Sequence, residues 1–178
     1  MTVKEISETA CLSGPACALV KEDSTPGSYL DSLEKQELYQ DAVNFLAYKI
    51  PTDAGIKWGS ACIKELRSPE SKEQPDEPLD AADKWVKTPD DTTRMAAKDA
   101  ADKSKNGGPS ILLAMAVYMS GGSLAPAGAP ETPPPKYSAQ KFIAGTVQVT
   151  VVSHEPAKAK ERYQKALKIG KALDGPGA

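Results

Sequence analysis

Residues 111–119, ILLAMAVYM, are uninterrupted apolar sequence; the chain then breaks at Ser120-Gly121-Gly122 and passes Pro126, Pro130 and Pro133-Pro134-Pro135 before reaching Tyr137. An apolar run of this kind has no polar face to offer water, so as a helix it must be buried by neighbours all round. It is also far shorter than the roughly 20 residues a membrane-spanning helix needs. The glycines and prolines that follow cannot continue the helix. They predict a long irregular loop over 120–136 with extended, polyproline-like backbone. The remainder of the chain therefore has to wrap a buried rod and accommodate a loop.

The flanking sequence supplies short amphipathic helices. Leu38, Ala42, Phe45, Leu46 and Ile50 recur at helical spacing, Pro51 ends the run, and Thr52 or Asp53 is placed to cap the next helix. In that helix Ile56, Gly59, Ile63 and Leu66 share a face with Trp58 and Cys62 beside it. Ser13 before Gly14-Pro15, and Ser24-Thr25-Pro26, are helix-start signals. Residues 68–78, SPESKEQPDEP, read as a solvated connector. Leu79, Ala82, Trp85 and Val86 mark a further helix, and Asp90 opens one over 90–105 with Met95, Ala97, Ala100 and Ala101 inward. Val147, Val149 and Val151 alternate as in a strand, but Ala139, Phe142, Ile143 and Thr146 fit a helix. Helix is the better reading, because a lone strand would leave its backbone groups unpaired. The last helix carries Ala159, Tyr163, Ala166, Gly170 and Leu173 on one face and lysines behind.

The expected fold is all-α: about seven or eight short helices in antiparallel hairpins, stacked in the manner of a solenoid, in one helical domain over 1–178. Residues 1–12 and 174–178 are expected to fray. The three cysteines, Cys11, Cys17 and Cys62, are an odd count with no CxxC and read as small buried hydrophobes in a reducing compartment. The first residues, MTVKEISETA, carry two glutamates and no basic segment leading an apolar one, so a cytoplasmic location is expected. A net charge of −2 and 6% aromatic residues argue against nucleic acid and anionic lipid as partners.

No residue set announces a reaction. The single histidine, His154, has no sequence-adjacent partner for catalysis or metal binding and reads as an exposed junction residue. Asp102, Ser104, Asn106 and Gly107 sit at calcium-loop spacing, but the twelfth position is Leu113 and two lysines intervene, so a helix-stop turn explains them better. Gly107-Gly108 before Pro109 can cradle a phosphate but equally marks a helix start. Lys158, Lys160, Lys165, Lys168 and Lys171 are diluted by acids and read as a solvated face. Thus no catalytic, metal-binding or cofactor-binding residues, and no cofactor, are assigned. The loop holds the candidate partner-binding residues Gly121, Gly122, Leu124, Pro126, Pro133, Pro134 and Pro135. It is either a surface linker or a docking segment offering apolar contact at low entropic cost.

The segments Thr25-Pro26-x-x-Tyr29-Leu30, Leu38-Tyr39-x-Asp41-Ala42-Val43-x-Phe45-Leu46-Ala47 and Ala82-x-x-Trp85-Val86-x-x-Pro89, with Ser120-Gly121-Gly122-Ser123-Leu124-Ala125-Pro126, resemble an uncharacterised bacterial helical family. The likeness spans residues 10–172 and implies a domain of unknown function, sometimes encoded near type VI secretion genes. An accessory, adaptor or chaperone role with a secreted effector or secretion component as partner follows from that resemblance. A structural subunit of a larger assembly, or an enzyme or small-molecule binder whose site forms only in the fold, stay open as alternatives.

Overall fold

The computed structural model describes residues 1–104, 107–126 and 128–175. Every regular element among them is helical: α1 (Val3–Thr9), α2 (Gly14–Cys17), α3 (Pro26–Lys35), α4 (Tyr39–Lys49), α5 (Thr52–Leu66), α6 (Pro69–Lys72), α7 (Glu77–Lys87), α8 (Asp91–Lys103), α9 (Pro109–Tyr118), α10 (Ser138–Val152) and α11 (Ala159–Leu173), the last preceded by a 3-10 turn (Pro156–Lys158). The all-α expectation holds, but the helix number does not. α2 starts at Ser13 as its Gly14-Pro15 signal implied, whereas a single turn such as α6 carries too little apolar repeat to be seen in sequence.

Side-chain caps explain most helix starts. Thr2, Ser13, Thr25, Ser68, Asp76 and Asp90 each accept a backbone N–H from the first turn of the helix they precede. Two local expectations need correction. Neither Thr52 nor Asp53 caps α5; Pro51 occupies that position, without a side-chain bond. The first residues, expected to fray, form α1, with a reciprocal Thr2–Glu5 capping box and with Val3 and Ile6 buried.

The buried rod is α9. None of its residues is exposed, and Leu113, Ala114, Ala116 and Val117 are fully enclosed. α8, α7, α5 and α10 enclose it, and α10 in turn packs on α5, α4 and α11. These contacts join the last third of the chain to the first. A solenoid, in which each hairpin touches only the next, is therefore not the arrangement; the helices close into a bundle. The threonines of α10 show how a valine- and threonine-rich helix can be buried without leaving its hydroxyls unpaired. Thr146 and Thr150 are buried, and their hydroxyls donate to the carbonyls of Phe142 and Thr146 at 2.8 and 2.7 Å.

Close helix approach depends on small residues. A Cβ on Gly59 would lie 2.6 Å from Leu113 Cδ1 and 3.3 Å from Thr146 Cγ2, so α5 meets α9 and α10 where it has no side chain. At the other side of α5, the Trp58 indole is fully buried and donates to the Ala166 carbonyl of α11 at 2.7 Å. It lies over Gly170, where a Cβ would meet ring atoms at 2.7 and 2.9 Å. Tyr29 packs edge-on against Phe45, ring centres 4.8 Å apart, and donates to the Ala16 carbonyl, seating α3 and α2 on α4.

Candidate functional site

On α8 the inward positions are Thr93, Arg94, Ala97 and Ala101; Met95, read as inward from sequence, is exposed. Ala97 and Ala101 are inward as the apolar pattern implied, and Thr93 and Arg94 take the place it gave to Met95. The reason is Arg94, which is only 5% exposed because the loop after α9 wraps it. Its Nη1 donates to the Tyr118 carbonyl at 3.0 Å, satisfying the end of α9. Nη2 donates to the Ser123 carbonyl at 3.2 Å, and Nε to Asp91 Oδ1 at 2.9 Å. The guanidinium also lies 5.1 Å from the centre of the Tyr118 ring.

Arg94 dictates the loop sequence at Gly122. This residue has φ of +67°, and a Cβ there would sit 2.7 Å from the guanidinium atoms. Beyond it, Ser123 Oγ accepts the N–H groups of Ala125 and Thr132, both at 3.1 Å, and the Leu124 N–H donates to the Thr132 carbonyl at 2.8 Å. The loop is thus cinched where it leaves α9. At its far end Ser138 bonds back to the Pro135 carbonyl, and Tyr137, at φ of +64°, packs against Tyr48 with the rings tilted by 38° and their centres 5.6 Å apart. Of the sequence-derived candidates, Pro126, Pro133 and Pro135 are exposed, and Pro134, Gly121 and Leu124 are half-buried. Gly122 is exposed on one side and filled by Arg94 on the other. The structure thus gathers these residues into one tethered strap. The anchor, Arg94, was invisible in the apolar pattern; the Gly-Gly pair after an apolar helix is its signal in retrospect.

A second feature was not legible in sequence. At the end of the bundle where α5, α7, α8, α9, α10 and α11 meet, there is a cleft of about 490 Å³. The 68–78 segment forms one wall, so it is more than a connector: it carries α6, Ser68 is buried, and Asp76 caps α7. Asp76 Oδ1 accepts the Leu79 N–H at 3.2 Å, while Oδ2 accepts from Ser110 Oγ at 2.6 Å and approaches Arg67 Nη1 at 3.5 Å. Arg162, 8% exposed, ties the ends of two helices together: it donates to the carbonyls of Val151 (2.6 Å), Thr150 (2.8 Å) and Leu66 (2.9 Å). His154 is exposed on the cleft's wall, as its junction position implied. Beside it, hydrogen bonding from Lys158, helped by the charges of Lys158, His154 and Arg162, holds the Glu155 carboxyl below its usual range.

Other candidates resolve differently. Lys158, Lys160, Lys165 and Lys171 pair with Glu155, Glu37, Glu65 and the Asp31/Glu34 pair, so most of the α11 lysine face is internally neutralised. The reading of all three cysteines as buried is corrected: Cys11 and Cys17 are exposed, and Cys62 alone is enclosed, its thiol pushed up to about 12 by burial. The calcium-loop spacing includes Lys105 and Asn106, which lie outside the described residues, as do Pro176 and Gly177 after the last helix. Among the described residues no group of three or more His, Cys, Asp or Glu is placed to hold a metal ion, and no helix is long and apolar enough to cross a membrane.

The fold and site define a class: an all-helical bundle built on a buried central helix, with a proline strap fastened across its surface by an interior arginine. Within that class the chain belongs to a family of unknown function, DUF6931, which it matches over residues 29–174. The matched span begins inside α3 and ends just past α11, so it holds both the strap and the cleft. No curated protein and no solved structure matches the chain.

Proposed function

We propose that this protein is a non-enzymatic interaction module that presents Gly121, Gly122, Leu124, Pro126, Pro133, Pro134 and Pro135 to a protein partner. In keeping with the resemblance to a bacterial family sometimes encoded near type VI secretion genes, the role is that of a cytoplasmic accessory, adaptor or chaperone for a secreted effector or secretion component. One observation carries this reading: the loop is tied at both ends, by Arg94 and the Ser123–Thr132 bonds at one and by Ser138–Pro135 at the other, while Pro126, Pro133 and Pro135 face solvent. A tethered, proline-rich segment has little conformational entropy left to lose, so a partner groove gains more net affinity from it than from a free linker. Ordinary surface linkers have no need of a buried arginine.

The test is binding between the purified chain and the products of its neighbouring genes, type VI secretion components among them if the link holds, measured for the wild type and a Pro133→Ala/Pro134→Ala/Pro135→Ala variant. A neighbour bound by the wild type and at least about tenfold more weakly by the variant supports the reading. Equal binding by both removes the strap from the interface. Binding to none of the neighbours refutes the secretion link.

A further inference from the structure

We propose that the outward seam of α9 and α10 is a self-association surface, on which a second copy of this chain docks with α10 against α10 in antiparallel orientation. The proposal rests on neither the strap nor the cleft.

α9 is covered by α8, α7, α5 and α10, yet one stripe of it is left half-bare. Leu112 and Met115, with Met119 just past the helix end, recur at i, i+3 and i+7 and are only half-buried. On α10 the outward positions include Gly145 and Val149, half-buried, and Val152, 42% exposed. The two stripes adjoin, since a Cβ on Gly145 would lie 3.8 Å from Leu112 Cδ1. Residues 109–119 and 142–153 contain no charge, so the seam is one continuous apolar face. With 10 and 15 residues, α9 and α10 are about 15 and 22 Å long and each about 10 Å across, a face of roughly 370 Å². A patch of that size on a monomer is often functional.

Gly145 indicates what kind of body covers this face. Glycine inside a helix is destabilising relative to alanine, so it needs a reason. Gly55, Gly59 and Gly170 have theirs within the bundle: a Cβ on each would come within 2.8, 2.6 and 2.7 Å of packed side chains. At Gly145 the neighbour among the described residues is Leu112 at 3.8 Å, which is ordinary contact. The bundle therefore does not require this glycine. A missing side chain in the middle of an outward apolar face permits another helix to approach closely.

The occupant is a second copy because the face matches itself. Gly145 is a hollow, and Val149, one turn further on, is a knob on the same stripe. About a two-fold axis between them, in an antiparallel crossing, the Val149 of each copy enters the Gly145 hollow of the other. The same axis sets Lys141 of one copy opposite Ser153 of the other, with Glu155 close by. Lys141 is exposed and has no ion pair among the described residues, and the Glu155 side chain is 41% exposed. The end of a helix also favours a cation. A parallel crossing would set Lys141 against Lys141 instead. The apolar centre is about half of the roughly 800 Å² per partner of a standard interface, so the dimer is weak, with a dissociation constant on the order of 100 μM.

The test is sedimentation velocity of the full chain from about 5 to about 500 μM, which brackets that constant. The expected result is a sedimentation coefficient that rises with concentration from monomer toward dimer. Val152→Lys puts a cation on the exposed stripe, next to Lys141 of the other copy. It should leave the thermal melt of the dilute protein unchanged and weaken the dimer at least tenfold. Gly145→Ala fills the hollow. It should raise the thermal midpoint of the dilute protein while weakening the dimer at least threefold. The Pro133→Ala/Pro134→Ala/Pro135→Ala variant should dimerise as wild type does, which separates this surface from the strap. A wild type that stays monomeric throughout would overturn the proposal and leave the face to a different partner. Undiminished association of folded Val152→Lys or Gly145→Ala would overturn it as well, as would loss of the dimer in the strap variant.

Discussion

Replacing Gly170 by alanine should destabilise the protein, although alanine is the better helix former. Gly170 lies inside α11, where the change to alanine alone favours the helix by about 1 kcal/mol. Against that stands the Trp58 ring. The new Cβ would sit 2.7 Å from Trp58 Cε2, 2.9 Å from Nε1 and 2.7 Å from Leu46 Cδ2. Leucine can turn its methyl, but the indole is fully buried and pinned by its bond to the Ala166 carbonyl. Overpacking of this kind costs about 1–3 kcal/mol. If the ring shifts enough to lose its acceptor, a buried N–H is left unpaired for about 1–3 kcal/mol more. The balance is a loss of roughly 0–2 kcal/mol if the indole keeps its acceptor and roughly 1–5 kcal/mol if it does not. With a urea m-value of about 2 kcal/mol/M, the unfolding midpoint should fall by about 0.5 M in the first case and about 1.5 M in the second. Gly27→Ala is the control: it is helical and exposed, with nothing within 4 Å of the new Cβ, and should leave the midpoint unchanged or slightly raised. A Gly170→Ala midpoint equal to or above wild type would show that the Trp58–Gly170 contact is not the constraint inferred here.

Two further measurements probe other parts of the chain. Native protein at pH 8 should react quickly with a thiol reagent at Cys11 and Cys17 and at Cys62 only after unfolding, because Cys62 is enclosed and its thiol titrates near 12; three fast thiols would contradict the packing of α5. The Asp90 carboxyl is held below its usual range chiefly by the Thr93 backbone N–H, with the Thr93 side chain helping. A folded value below the unfolded one means the stabilisation is present above the ordinary carboxylate range, about 4, and is lost as pH falls through the depressed folded value. Asp90→Asn keeps a capping oxygen without the titration, so its stability should change less than that of wild type between pH 6 and pH 3; identical losses would mean that the cap does not contribute to acid sensitivity.

How far the sequence could be read depends on the range of the interaction involved. Caps at Ser13, Thr25 and Asp90 and the stop at Pro51 are local, and were legible as such. The apolar stripe of α4 and the all-round apolarity of α9 likewise reported burial directly. The α8 face was misread because Arg94 is inward for a reason located 24 and 29 residues away, at Tyr118 and Ser123. The cleft was hidden for the same reason: Leu66 and Arg162 share a bond across 96 residues, and nothing in either neighbourhood announces it.

By itself, then, the sequence determined that the chain is helical, where most helices start, and that an apolar rod must be covered, since these follow from backbone capping and from apolar surface leaving water. It also marked the strap, because glycine and proline leave few other conformations. Only the tertiary structure decided that the helices close into a bundle instead of a stack, that an interior arginine fastens the strap, and that an arginine-lined cleft opens at one end. Each of these depends on side chains far apart in sequence meeting in space, and a pattern of neighbours holds no record of such meetings.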